Sequence, residues 1–232
     1  PIWSAWHAEG VTDTPPYEEL EPRFQASILY NGASWKDRTI ESFVGGSDGF
    51  CVWNKEPEPQ GRTTTGYYLR KRVDESHDVI NENGSVQPVT IIRLGEVLLN
   101  KAEACYRLND AAGANAAVKA IRDRVGLPYQ DKAGENLWKA IRQERKVELA
   151  YEGQWYWDLR RWKVAHEQYP TGLNGYQVHG LRIEQQPNGD FVYNYVSVDD
   201  KDRNFPERMY RFPLPSGELS SNAAVSQYPE WK

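Results

Sequence analysis

The residues of this chain best placed to do chemistry are three glutamates on one face of a predicted helix. The stretch AIRQERKVELAYEGQWYWDLRRWK covers residues 140–163. Wound at about 100° per residue, it and the turn before it carry an apolar stripe of Leu137, Ala140, Ile141, Val147 and Tyr151. Glu144 falls in the middle of that stripe, Glu148 lies beside it and Glu152 one turn further on. A lone carboxylate on a buried face costs several kcal/mol or more to desolvate. The three glutamates are therefore catalytic acids, metal ligands, or half of an ion network.

Spacing weighs against the first two. A glycosidase needs two carboxyls facing each other across roughly 5–9 Å, one of them with a raised pKa. Neighbours on a single helix, interleaved with Arg142, Arg145 and Lys146, form a ladder rather than a cleft. Asp158, Arg160 and Arg161 follow closely and can reach back, and arginine pairs a carboxylate through two parallel hydrogen bonds. The expected arrangement is a structural network of Glu144, Glu148, Glu152, Asp158, Arg160 and Arg161, with Glu148 held by Arg160 or Arg161.

No cofactor or metal is expected. His7, His77, His166 and His179 form no HxxxH or HExxH pair. Asp200, Asp202 and Asn204 open like a calcium loop, but Phe205 takes the glycine's place and Arg211 that of the bidentate acid. There is no Walker sequence, nucleophile elbow or dinucleotide fingerprint. Gly45-Gly46-Ser47-Asp48-Gly49 lacks a strand–helix setting and reads as a turn. Cys51 and Cys105 make neither a disulfide framework nor a CxxC pair. Cys105 lies on an apolar stripe as a small hydrophobe; a bond between the two stays open.

The elements that must position these residues divide the chain into three segments. Residues 1–89 are loop-rich, broken by Pro15-Pro16, Gly45-Gly46, EPEPQG and Asn83-Gly84, with ASILYNGA at 26–33 a short strand entering a turn. Residues 90–168 are helical. A first helix carries the stripe Ile91, Leu94, Leu98, Ala102 and Cys105, in which small Gly95 and Ala102 would admit a neighbour. A second helix, with Ala114, Ala117, Val118, Ile121 and Val125, stops at Gly126-Leu127-Pro128. The pair is like one tetratricopeptide unit, and one unit cannot bury its own faces. Residues 169–232 hold a β-hairpin and an extended tail; Leu181 and Ile183 alternate, Pro187-Asn188-Gly189-Asp190 turns, and Phe191, Tyr193 and Tyr195 alternate again. The fold class is mainly α with long loops and a small β-hairpin.

Composition excludes some functions. A net charge of −5 argues against nucleic acid as the main partner. No apolar run approaches the roughly 20 residues of a membrane-spanning helix. Nine Trp and 14 Tyr against six Phe favour rings that are apolar on the face and polar at the tip, suited to carbohydrate platforms and protein interfaces. The start on Pro1, without a leader, suggests a processed or truncated piece.

Five ordered blocks resemble one family. EPRFQASILYNGASWKDRTI, RLGEVLLNKAEACYRLND, AIRDRVGLP, AIRQERKVELAYEGQWYWDLRRWK, and DRNFPERMYRFPLPSGELSSN followed by QYPEW are similar to the SusD/RagB family, from about Glu21 to Trp231. The resemblance implies a mainly helical fold with tetratricopeptide units and a cell-surface lipoprotein of the outer membrane. It implies capture of a glycan or other nutrient for a SusC-like TonB-dependent transporter, without catalysis. It further implies that this chain is a C-terminal half whose N-terminal helical-repeat half and lipid-anchored segment are absent. Trp155 stands where that family commonly has arginine.

Three functions follow in order: a glycan-binding surface protein, a tetratricopeptide-like interaction module without a small ligand, and a secreted glycosidase. For the first, Trp53, Trp6 and Trp3 are the expected ligand contacts. They stand in loop sequence beside small or polar residues, where no helix stripe calls for an indole, and an indole face stacks on the C–H face of a sugar. Trp35, Trp138, Trp155, Trp157 and Trp162 are expected to pack.

Overall fold

The computed structural model describes residues 12–49, 62–78, 80–81, 84–169, 178–199, 201 and 203–232. The chain divides into two units, residues 1–152 with 178–199, and residues 153–177 with 200–232. The helical segment expected over 90–168 is thus split after Glu152, and the C-terminal β-hairpin belongs to the first unit.

In the first unit, prolines and glycines interrupt the early residues so often that only short elements form. They are α1 (Pro22–Ser27), β1 (Ile28–Leu29), β2 (Ser34–Trp35), β3 (Arg38–Thr39) and β4 (Tyr68–Leu69). β1 pairs antiparallel with β4, and β2 with β3. As expected for 26–33, β1 runs into a turn, where Gly32 takes a φ of 92°. The β2–β3 hairpin turns through Lys36 and Asp37, both left-handed with φ of 45° and 62°, as a two-residue primed turn requires. Leu29, Ala33 and Ile40 form the core under these strands, with Trp35 and Tyr68 packed against it.

The expected helical hairpin is present as α2 (Leu94–Arg107) and α3 (Ala111–Arg124), followed by α4 (Gly134–Glu148). Asn109, with a φ of 60°, breaks the run. Asp110 then caps α3 by accepting the Gly113 N–H at 2.8 Å. Ala102, Ala114, Ala117, Val118, Leu137 and Ile141 form one core cluster, and Leu99, Ile121 and Leu149 another. The small side chains let α2 and α3 pack closely.

The phase of α2 differs from the sequence reading. Leu99 and Ala102 are fully buried, whereas Ile91 and Leu94 are 87% and 71% exposed. Arg93 is extended, so Ile91 precedes the helix rather than sharing its stripe. Leu94, Val97, Ala104 and Leu108 recur at helical spacing on the exposed side instead. In the same way Tyr151, expected on the apolar face of α4, is exposed. The helix ends at Glu148, and Tyr151 turns left-handed at φ 63°.

β5 (His179–Gln185) and β6 (Phe191–Ser197) form the predicted hairpin, Leu181 opposite Tyr195 and Ile183 opposite Tyr193. Leu181, Ile183 and Tyr193 are buried together. The Leu181 N–H donates to Thr65 O at 2.9 Å, and Val44 N–H to Ile183 O at 2.8 Å. A Cβ on Gly180 would lie 2.5 Å from Thr65 Cα, so the approach of these two backbones depends on glycine.

In the second unit α5 (Gln154–Arg161) and α6 (Ala165–Gln168) are joined by α7 (Ser216–Ser221) from the tail. Leu159, Ala165 and Phe205 make its core. Among the described residues no helix is long and apolar enough to cross a membrane.

Candidate functional site

Glu144 and Glu148 of α4 are buried, Glu152 just beyond its end is half-buried, and each of the three carboxylates is bonded to cations. Glu144 accepts from Arg23 at 2.6 Å and from Arg122 at 3.1 Å. Glu148, its side chain 1% exposed, accepts from Arg93 at 2.6 Å, from Arg23 at 3.0 Å and from Arg124 at 2.8 and 2.9 Å. Glu152 is held by two nitrogens of Arg93, both at 2.7 Å, and by Lys71 at 2.6 Å. The cations that hold these glutamates therefore come from α1, the loop after β4, the start of α2 and the end of α3. Sequence reading had named Arg160 and Arg161, which follow directly on the helix. Cations brought from more than 20 residues away carry no local spacing signal.

Arg160 and Arg161 serve the second unit. Arg160 donates to the carbonyls of Met209 at 2.6 Å and Tyr210 at 3.0 Å, with its guanidinium over Phe212 at 4.5 Å. Arg161 pairs with Asp158 at 2.8 Å.

The network lowers the pKa of two of its carboxyls. Burial pushes the Glu148 carboxyl up, but hydrogen bonds from Arg93 and Arg23 and the charges of Arg93 and Arg124 outweigh it, leaving the pKa below the ordinary value. Glu152 follows the same pattern, with Arg93 and Lys71 overcoming burial. Lys71 also donates to the carbonyls of Glu148 at 2.9 Å and Ala150 at 3.0 Å, and Arg93 to that of Glu148 at 2.6 Å. These are the orphan carbonyls at the end of α4, where the helix dipole favours cations. Gly95 belongs to this arrangement too. A Cβ there would stand 2.4 Å from Arg93 Nη1 and 2.9 Å from Glu148 Oε1, so its small size makes room for the ion pair rather than for a neighbouring helix.

Above Lys71, Arg93 and Glu152 lies a cleft of about 1080 Å³, its remaining lining drawn from the β2–β3 hairpin and residues 72–90. Trp35 lines it, half-buried, with one side packed on the Leu29 cluster. The Lys36 ammonium is 6.0 Å from the centroid of that indole and donates to His77 O. Arg72 stands in left-handed backbone at φ 67°, exposed and without a hydrogen bond or ion pair among the described residues. Asp74 accepts from Ser85 and Ser76 hydroxyls; those hydroxyls, Ser85 first, pull its carboxyl down to about 2. Arg38 is committed to Asp48 at 2.6 and 2.7 Å. A smaller hollow of about 410 Å³ between Arg122, Tyr129 and Gln143 has two of its three charged residues, Arg122 and Glu144, already paired, the third being Lys132.

Trp3, Trp6 and Trp53 lie outside the described residues, as do Cys51, Asp200 and Asp202. Trp35, read from sequence as packing, both packs and lines the cleft. The signal was present in the Trp-Lys-Asp tip of ASWKDR, since a tight turn holds adjacent side chains at the surface. Trp157 is 57% exposed on α5 rather than packed.

The model of the SusD family matches residues 5–231. The chain belongs to the SusD family. It is 32% identical over 144 residues to SusD-like protein P2 of Formosa agariphila, covering 57% of this chain and 23% of that one. A SusD-like protein of Bacteroides fragilis matches at 29% identity and a TM-score of 0.69, over 92% of this chain and 39% of that one. A SusD superfamily protein from Bacteroides vulgatus shares the fold at 19% identity and a TM-score of 0.54, over 93% of this chain and 42% of that one. The chain thus spans less than half the length of each SusD relative.

Proposed function

We propose that this chain is the ligand-holding part of an outer-membrane nutrient-binding protein, that its nutrient is a glycan, and that it hands this ligand to a SusC-like TonB-dependent transporter. Membership of the SusD family supports the class. The observation that carries the glycan is the cleft, where half-buried Trp35 is part of the lining together with hydroxyls, an amide and charges. An indole stacks on a sugar's C–H face while polar groups at the rim bind its hydroxyls. Trp53, Trp6 and Trp3 stay in the proposal as further contacts on their sequence setting alone.

Binding without catalysis fits the glutamates. A glycosidase acid must be held protonated by a raised pKa, and Glu148 and Glu152 are shifted the other way. Calorimetric titration of the chain with a panel of oligosaccharides tests the reading. Trp35→Ala is expected to lower affinity roughly tenfold or more, with Trp35→Phe retaining fold and part of the binding. Absence of binding by every oligosaccharide sinks it.

A second reading, a protein-interaction module, is favoured by the exposed face of α2. Leu94, Val97 and Leu108 are 71%, 50% and 78% exposed, and contiguous exposed apolar surface of this kind serves association.

A further inference from the structure

We infer that the cleft beside Trp35 takes an acidic saccharide, one whose ring bears a carboxylate or sulfate, with Arg72 and Lys36 holding the acid group. The inference rests on the glycan reading and narrows it to a ligand class. Its ground is the distribution of commitments among the charges of the cleft. Lys71 and Arg93 are paired with Glu152 and Glu148 within the ion network beneath. Arg38 is spent on Asp48, and Asp74 on the hydroxyls of its own loop. The cations left without an ion pair among the described residues are Arg72, which has no hydrogen bond either, and Lys36, bonded only to the His77 carbonyl; against them stands one anion of the lining, Asp74, whose oxygens are occupied by the Ser76 and Ser85 hydroxyls. Asp78, the acid that feels Lys36 from outside the lining, is taken up by Asn81 and the Ile80 N–H.

Two local uncommitted cations in a chain of net charge −5 are against the average of the molecule. A concave site with an excess of one sign of charge concentrates ligands of the other. Geometry adds to this. Both cations occupy left-handed backbone, φ 45° at Lys36, where the β2–β3 turn requires it, and 67° at Arg72. The ammonium lies 6.0 Å from the indole centroid. A sugar ring centred on the indole therefore presents a ring substituent at the distance of Lys36. Arginine supplies the planar fork that matches a carboxylate or a sulfate with two hydrogen bonds. A neutral sugar offers both cations hydroxyl acceptors but no counter-charge, so the site discriminates by charge.

The test uses the 232-residue chain and four calorimetric titrations: oligogalacturonate, its methyl ester, a sulfated galactan oligosaccharide and its desulfated form. Oligogalacturonate or the sulfated sugar is expected to bind best, the preferred one naming the acid group, and its neutral form to bind about tenfold more weakly. Arg72→Gln and Lys36→Gln, both on exposed side chains, are expected to lower affinity for the acidic ligand about tenfold each and for the neutral form by less, so that the preference for the acidic form shrinks. Equal binding of acidic and neutral forms, or charge variants that bind the acidic ligand as tightly as the parent, overturns the acidic class while the glycan reading stands. Failure of all four sugars, together with neutral oligosaccharides of other types, overturns both.

Discussion

Glu148 and Arg93 are 2.6 Å apart across 55 residues of sequence, and the Glu148 side chain is 1% exposed. This pair ties the end of α4 to the start of α2, and with Arg23 and Arg124 it surrounds one carboxylate with three guanidinium groups. Removing the carboxylate leaves those cations facing one another in a buried setting. Glu148→Ala is expected to cost roughly 3–5 kcal/mol, read from urea unfolding midpoints. A loss below about 0.5 kcal/mol, the level of an open surface site, contradicts the buried network.

The same network sets an acid limit. Glu148 and Glu152 have folded pKa values below their ordinary 4.5. A depressed folded pKa means that the unfolded chain takes up protons first as the pH falls. The stability these groups add is full above the unfolded value and drains away as the pH drops through the folded one. Unfolding midpoints measured from neutral pH downward should stay level and then fall steeply below the ordinary carboxylate range. Glu152→Gln should flatten part of that fall; an unaltered profile rules out its contribution.

Gly95→Ala sets two effects against each other. Alanine gains about 1 kcal/mol of helix propensity over glycine, but its Cβ collides with Arg93 Nη1 and crowds Glu148 Oε1. Displacing a buried charge pair costs more than the propensity returns, so a net loss of roughly 1–3 kcal/mol is expected. A more stable variant in thermal unfolding means the pair shifts without cost.

Arg160 holds the tail of the second unit through the Met209 and Tyr210 carbonyls and stacks on Phe212. Arg160→Lys keeps the charge but loses the planar fork. Limited proteolysis should cut the 209–212 segment faster in this variant, with a stability loss of roughly 1–3 kcal/mol. Unchanged cleavage places the tail under other control.

The exposed side of α2 predicts its own behaviour in solution. The chain should bind a hydrophobic dye and self-associate, and Leu94→Glu with Val97→Glu should abolish both without loss of helix signal. A parent chain that stays monomeric and leaves the dye dark shows that this face is covered.

Local patterns were legible in the sequence wherever one element carried its own signal. Asn109-Asp110 ended α2 because a left-handed Asn and an Asp cap are properties of adjacent residues. Leu181, Ile183 and Tyr193 alternated with strand period, so the hairpin and its buried face followed from spacing alone. Glu144 and Glu148 on the apolar face of α4 announced a buried ion network for the same reason. The identity of their partners depended on chain approaches that no spacing encodes. Arg23 meets Glu144 across 121 residues and Lys71 meets the Glu148 carbonyl across 77, contacts created when irregular segments dock on the helices. The rotation of α2 was equally a tertiary matter, since Leu99 turns inward only because Ile121 and Leu149 are there to receive it. So too the cleft: Trp35 and Lys36 are neighbours, but Arg72 lies in a distant segment, and only folding puts all three around one space. Helix and strand periods are written in neighbouring side chains, whereas charge partners and clefts arise from segments distant in sequence, selected by the burial they share.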